Sequence, residues 1–379
     1  MTLPAAPTAF APVRAIGIGG AILIAANGMV ASGIFSLPGK LDAAVGMFAP
    51  VLLLLAGLGF VCIALSYTDC ARHFERSGGL ILYVGTAFGR FPGFIIGWLN
   101  YISRAAAQGA NANVVVLTAV TLFPAAAGSV ARQAMLVTLS VALTMLNVLG
   151  IRRAIGALAG ITALKLIPLL VLMAAAFITF GTGHAPVIPP VVDAAGVALV
   201  ALYAFTGFEV ASLAAGETSN PRRALPIALV GTVVAIGLLY VLVQWAYSAS
   251  GTPNSDAPLV SPRFATPLFS ILFFDGFALL LALSGGFVFL AVVSTLARLL
   301  SYFACILAAP RLDRIFEVRR GWLRRLLFPG IAAALCIGAA SQSKAVEWRT
   351  LALLVGRGVM LYWVARRASG PSDTVAPPR

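Results

Sequence analysis

The chain has 379 residues, 60% of them hydrophobic and 10% charged, with a mean hydropathy of +0.99; soluble domains carry roughly a quarter charged residues, so a soluble protein is excluded and repeated membrane crossing is implied. The formal charge of +14 does not indicate nucleic acid, because the arginines sit in short loops between apolar spans, where the bias toward basic cytoplasmic loops accounts for them. Cys62, Cys70, Cys305 and Cys336 lie in or beside apolar stretches without paired spacing and read as packing residues, neither disulfides nor metal ligands.

Along the chain, the first dozen residues have no basic start and no cleavage site, so no removable signal peptide is expected. At about 20 apolar residues per crossing, spans are predicted near 16–37, 47–68, 93–123, 131–149, 157–180, 194–216, 224–247, 267–283, 287–309, 326–342 and 350–366. That makes eleven, in a single membrane domain over 1–379. Gly39, the Ser77-Gly78-Gly79 turn, Pro186 with Pro189 and Pro190, Pro253, and Ser284-Gly285-Gly286 punctuate the boundaries.

Two spans are interrupted. In the first, Asn27, Gly28 and the run Ala31, Ser32, Gly33, Ile34, Phe35 break apolar sequence ahead of Pro38; in the sixth, an acid and a glycine follow Tyr203 within Tyr203–Ala228. In hydrocarbon every backbone polar group must be paired, so unwound backbone belongs only where it lines a cavity or is buried in protein. Broken helices at mid-membrane are how secondary transporters hold a small charged solute. N–H groups freed near Ala31 to Ile34, with the partial positive charge of the following half-helix, suit a carboxylate. Carbonyls freed near Asn27 to Val30 and Ala204 to Thr206 suit an ammonium. An α-amino acid supplies both groups, and the expected substrate set is Val30, Ala31, Ser32, Gly33, Ile34, Ala204, Phe205, Thr206 and Gly207. A small-residue packing face is the other reading of Ser32 and Gly33.

In the third span Asn100, Arg104, Gln108 and Asn111 share one helix face, either as interhelical bonding or as the wet wall of a solute path. Arg104, costly if unpaired, is expected to meet an acidic or carbonyl partner as a gating or supporting residue. Lys165 lies roughly 12 Å into the fifth span at 1.5 Å per residue, too deep for easy snorkelling. An apolar setting disfavours the charged form of a lysine and brings proton exchange within physiological reach. Lys165 is therefore either a proton-coupling group or a fixed structural charge. Glu209, directly after the second break, either accepts hydrogen bonds from freed N–H groups or acts as a gate. Arg298 and Asp275 receive no role. His73 and His184 fall in loops and support no metal or catalytic site; with no nucleophile and base pair either, neither an enzyme nor a cofactor is expected.

Arg72, Arg76 and Arg90, then Arg152 and Arg153, then Arg222 and Arg223 mark alternate loops, while 181–193 has no Lys or Arg and 248–266 only Arg263. The N-terminus is therefore predicted to be cytoplasmic, in the cell inner membrane. Eleven spans then leave the loop carrying Arg311, Arg314, Arg319, Arg320, Arg324 and Arg325 outside, against the same rule. Either a crossing is missing between about 258 and 266, or 267–309 makes an odd number of crossings.

A family resemblance is carried by Ala31-Ser32-Gly33-Ile34-Phe35 with Pro38; by Gly78-Gly79, Tyr83, Ala87-Phe88-Gly89 and Gly97-Trp98; by Lys165 with Pro168; and by Phe205, Gly207-Phe208-Glu209, Gly216-Glu217, Asn220-Pro221 and Pro226. Over about 14–260 the chain resembles amino acid permeases of the amino acid, polyamine and organocation superfamily. Ser294-Thr295-Leu296-Ala297-Arg298 and Ser301-Tyr302 resemble part of the family's helices nine to twelve, and its helix eight has no counterpart between Asp256-Ala257-Pro258-Leu259 and Thr266-Pro267. The resemblance implies an all-α, leucine-transporter-like fold of two inverted five-helix repeats. These would span 14–180 and 190–310, the second incomplete near 258–266, followed by a basic loop and two helices over 311–379. It implies alternating access, Phe205 as an aromatic gate, and Lys165 in the place of the bound sodium ion of other members. The expected activity is symport of an amino acid with protons across the lipid bilayer; exchange, or a permease that no longer transports, are the alternatives.

Overall fold

The computed structural model describes residues 14, 16–30, 34–35, 37–122, 128–148, 154–183, 185–250, 287–318 and 320–368. Among these, regular structure is helical apart from one bridge between Ile16 and Thr218. The first half comprises α1 (Ile18–Met29), α2 (Pro38–Val45), α3 (Ala49–Ala71), α4 (Leu80–Phe88), α5 (Arg90–Leu122), α6 (Ser129–Val148) and α7 (Ala154–Phe180). Then come α8 (Val191–Ala204), α9 (Val210–Leu213), α10 (Pro221–Ala249), α11 (Phe287–Ile315), α12 (Phe328–Ser341) and α13 (Ala345–Ala368).

Four described stretches are long and apolar enough to cross a membrane unaided: Pro38–Ala71, Pro221–Ala249, Val288–Ile315 and Leu323–Ser341. The chain is a multi-pass membrane protein of all-α fold. Ile18–Met29 and Val191–Ala204 are apolar but short, because both predicted interruptions are real. α1 stops where Val30 leaves helical geometry at φ −74°, ψ 82°, and Pro38 opens α2, where its missing N–H leaves no helical bond unmade. α8 stops at Ala204, and residues 205–209 form a turn in which Gly207 takes φ +112°, a conformation that disfavours any side chain. Gly39, expected at a boundary, lies inside α2, whereas Gly78 and Gly79 form the expected turn with φ of 142° and 50°.

α3 packs on α10 and α12, α5 on α11 and α4, and α1 on α10 and α7. At the centre, Phe60 of α3 meets Phe205, Phe208 and Tyr302 at ring separations of 5.5, 6.3 and 6.0 Å. The Phe205 ring fills the space left by two glycines: a Cβ on Gly57 or Gly237 would stand 3.1 or 3.0 Å from it.

Side-chain pairs identify the two ends of the bundle. At one end Glu75 pairs with Arg14 (3.0 Å) and Arg222 (3.2 Å). There too, Arg320 pairs with Asp69 and with Asp313 (2.9 Å), and His73 Nε2 lies 3.0 Å from Asp313 Oδ1. Burial pushes the His73 imidazole below its usual range, against the opposing pull of Asp313. At the other end, Trp245 of α10 donates to Thr182 O (2.9 Å), and Gly183 lies against Ala249. The basic stretch before α12 thus shares an end with Arg72 and Arg222, as the arginine rule requires. The span predicted at 267–283 and the linker at 258–266 lie outside the described residues.

Candidate functional site

The two breaks meet. A Cβ on Gly28 would stand 2.5 Å from the carbonyl oxygen of Gly207, and a Cβ on Gly207 would collide with Gly28 in return. Backbone against backbone at this separation requires glycine on both sides. Val30, Phe205 and Phe208 around this contact are fully buried, and Ile34, Ala204, Thr206 and Glu209 nearly so. Ala31, Ser32 and Gly33 lie outside the described residues.

The end of α1 exposes carbonyls with no helical partner. Two are taken by neighbouring helices: the Tyr240 hydroxyl of α10 donates to Met29 O (2.9 Å), and the Lys165 ammonium of α7 donates to Val30 O (3.0 Å). Lys165 also donates to Asn27 Oδ1 at 2.8 Å. This half-buried amine therefore grips the broken helix at its last turn.

At the second break, Glu209 ties the turn to α11 and, through Arg298, to α5. Its Oε2 accepts from the Gly207 N–H (3.0 Å), a donor freed by the turn, and from the Tyr302 hydroxyl of α11 (2.7 Å). Its Oε1 pairs with Arg298 Nη1 (3.1 Å), and Arg298 Nε continues to Ser103 Oγ of α5 (2.6 Å). The carboxylate thus supports the turn itself, not the first N–H groups of α9, for which no side-chain cap is present. Arg298, given no role from sequence, is its ion-pair partner; only its place in an apolar stretch could have marked it. Arg104, expected to have an acidic or carbonyl partner, keeps its Nη2 buried with no hydrogen-bond partner among the described residues. The acid within its electrostatic reach, Glu209, is ion-paired with Arg298 instead. No group of His, Cys, Asp and Glu among the described residues could hold a metal ion.

A family model for amino acid permeases matches residues 16–313. The chain belongs to that family. An uncharacterized transporter of Mycobacterium tuberculosis is 27% identical over 262 residues, covering 61% of this permease and 54% of the relative. The chloroplastic cationic amino acid transporter 9 of Arabidopsis thaliana is 27% identical over 271 residues, 65% of this permease and 48% of the relative. The serine/threonine exchanger SteT of Bacillus subtilis is 26% identical over 248 residues, 62% and 54% respectively. This permease spans about half the length of the curated relatives it matches.

Proposed function

We propose that this permease carries an amino acid across the cytoplasmic membrane by alternating access around its two broken helices, in symport with protons, with its N-terminus in the cytoplasm. The observation that carries the reading is the meeting of the breaks at Gly28 and Gly207 with a half-buried lysine bonded to the broken end of α1. Freed backbone groups from Val30 to Ile34 and from Ala204 to Gly207 bind the α-carboxylate and α-ammonium, and Phe205 gates them. Loss of the Lys165 proton leaves two N–H donors for Asn27 Oδ1 and Val30 O but no charge, so both bonds fall from the charge-assisted range of about 1.5–3 kcal/mol toward the roughly 1 kcal/mol of a neutral hydrogen bond. Proton transfer at that amine therefore changes how firmly α1 is held. The repeats expected at 14–180 and 190–310 rock against each other about this point, with Glu209 and Arg104 in support.

Exchange is the second reading, favoured by the similarity to an exchanger. The test is uptake of radiolabelled amino acids into proteoliposomes, with and without an inward proton gradient and an internal amino acid. Symport predicts accumulation driven by the gradient alone, and Lys165→Met should abolish its pH dependence while leaving substrate binding. Uptake that ignores the gradient and requires internal substrate assigns exchange. An unchanged pH profile in Lys165→Met removes the coupling role.

A further inference from the structure

The polar face of α5 is only partly consumed by holding helices together. Ser103 is fully engaged: its Oγ accepts from Arg298 Nε, and its carbonyl accepts from the Ser294 hydroxyl at 2.8 Å. Beside it the pattern changes. Arg104 lies within electrostatic reach of Glu209, Arg298 and Tyr302, yet its Nη2 is buried with no hydrogen-bond partner among the described residues. One turn earlier on the same face, Asn100 is 7% exposed and its Oδ1 is likewise without a hydrogen-bond partner among them.

Two guanidinium groups therefore share one carboxylate, Glu209, whose Oε1 is bound to Arg298. The described cluster carries a net single positive charge inside an apolar bundle, and an uncompensated cation there is costly. A substrate whose α-groups are both ionised brings no net charge to cancel it. One bearing an additional carboxylate does.

We propose that Arg104 and Asn100 form a subsite for the side-chain carboxylate of the substrate, which makes the transported class acidic amino acids. This rests on the transport reading above and deepens it. The guanidinium fork matches a carboxylate in two parallel hydrogen bonds, and the Asn100 amide supplies an N–H donor by a half-turn of its end group. The α-carboxylate and α-ammonium remain with the two breaks, so the subsite reads only the side chain.

Thermal-shift binding to the purified full chain tests this with L-glutamate, L-aspartate, L-glutamine, L-serine and L-arginine, and with sodium chloride against sodium gluconate. An acidic amino acid should bind about tenfold or more tightly than glutamine, the scale of one hydrogen-bonded charge. Arg104→Gln should erase that ratio without weakening glutamine, and Arg104→Lys, which keeps the charge and loses the fork, should retain part of it. A ratio unchanged in both variants overturns the proposal, as does a preference for neutral or cationic amino acids. Chloride stabilisation that depends on Arg104, without any effect of acidic amino acids, overturns it in favour of a free anion. Rescue of Arg104→Gln stability by Asp275→Asn would assign the charge an internal partner and overturn it too. Binding of no amino acid in the panel removes the transport reading itself, and the subsite with it.

Discussion

Glu209 and Arg298 are both almost fully buried and joined at 3.1 Å, and such a pair behaves asymmetrically when cut. Removing one partner leaves an uncompensated charge and costs about 3–5 kcal/mol, whereas replacing both by groups of similar volume is often neutral. Glu209→Gln, which leaves Arg298 and Arg104 without their acid, is therefore expected to lower unfolding stability in detergent by about that amount; Arg298→Ala, after which Arg104 remains beside the carboxylate, should cost less, and Glu209→Gln with Arg298→Met clearly less than the two single changes summed. Glu209→Gln melting like the native chain would mean the pair does not organise the second break. The sequence singled out Glu209 because a carboxylate inside an apolar run needs a reason. It passed over Arg298 because nothing in residue spacing links that arginine to its acid. Lys165 was legible from depth alone, but its partners, Asn27 Oδ1 and Val30 O, depend on how α7 packs against α1. Arg104 was expected to meet an acidic or carbonyl partner; its Nη2 has no hydrogen-bond partner among the described residues, and Glu209 is paired with Arg298.

The interruptions of α1 and of the sixth crossing were visible as elements, because Asn27-Gly28, Pro38 and Gly207 are residues a continuous lipid-facing helix does not use. Which helix lies against which was not visible. In lipid, apolar faces carry no solvent-driven period that names a partner, and association rests on close packing. The packing of α3 against α11 illustrates this. Cys70 and Cys305 read as isolated packing residues in sequence, yet their sulfurs lie 3.4 Å apart, both buried and both free. Treating membranes with copper phenanthroline is expected to join them, the two thiols giving two protons and two electrons to the oxidant. Peptide mapping would then find Cys70 linked to Cys305 and neither linked to Cys62 or Cys336. Failure of that link under conditions that oxidise an exposed control pair would separate α3 from α11 and remove the packing described above.

For the molecule as a whole, the question is how the chain travels from Ser250 to Phe287. α10 ends beside Thr182 and Gly183, and α11 finishes at the opposite end, where Asp313 meets His73 and Arg320. α11 runs antiparallel to α5: Arg311 sits over Phe88, next to the start of α5, while Leu290 and Val293 lie with Ala105, Ala106 and Ala110 further along it. Phe287 therefore begins at the end where Ser250 stops. A chain that leaves and re-enters on one side crosses an even number of times, zero or two, whereas the sequence predicts a single span at 267–283. Two crossings would need residues 251–266 to traverse the bilayer. At about 3.5 Å per extended residue they could reach across a core of roughly 30 Å, but their unpaired backbone would be costly in lipid. Zero crossings is the expected result, and it also satisfies the arginine rule for 310–325. In a background lacking Cys62, Cys70, Cys305 and Cys336, single cysteines at Ser250 and Thr266 should label with a membrane-impermeant thiol reagent on intact cells, and one at Val318 should not. Protection at Thr266 with labelling at Ser250 would establish two crossings instead. Labelling at Val318 would place the basic end of α11 outside and overturn the orientation of the whole bundle.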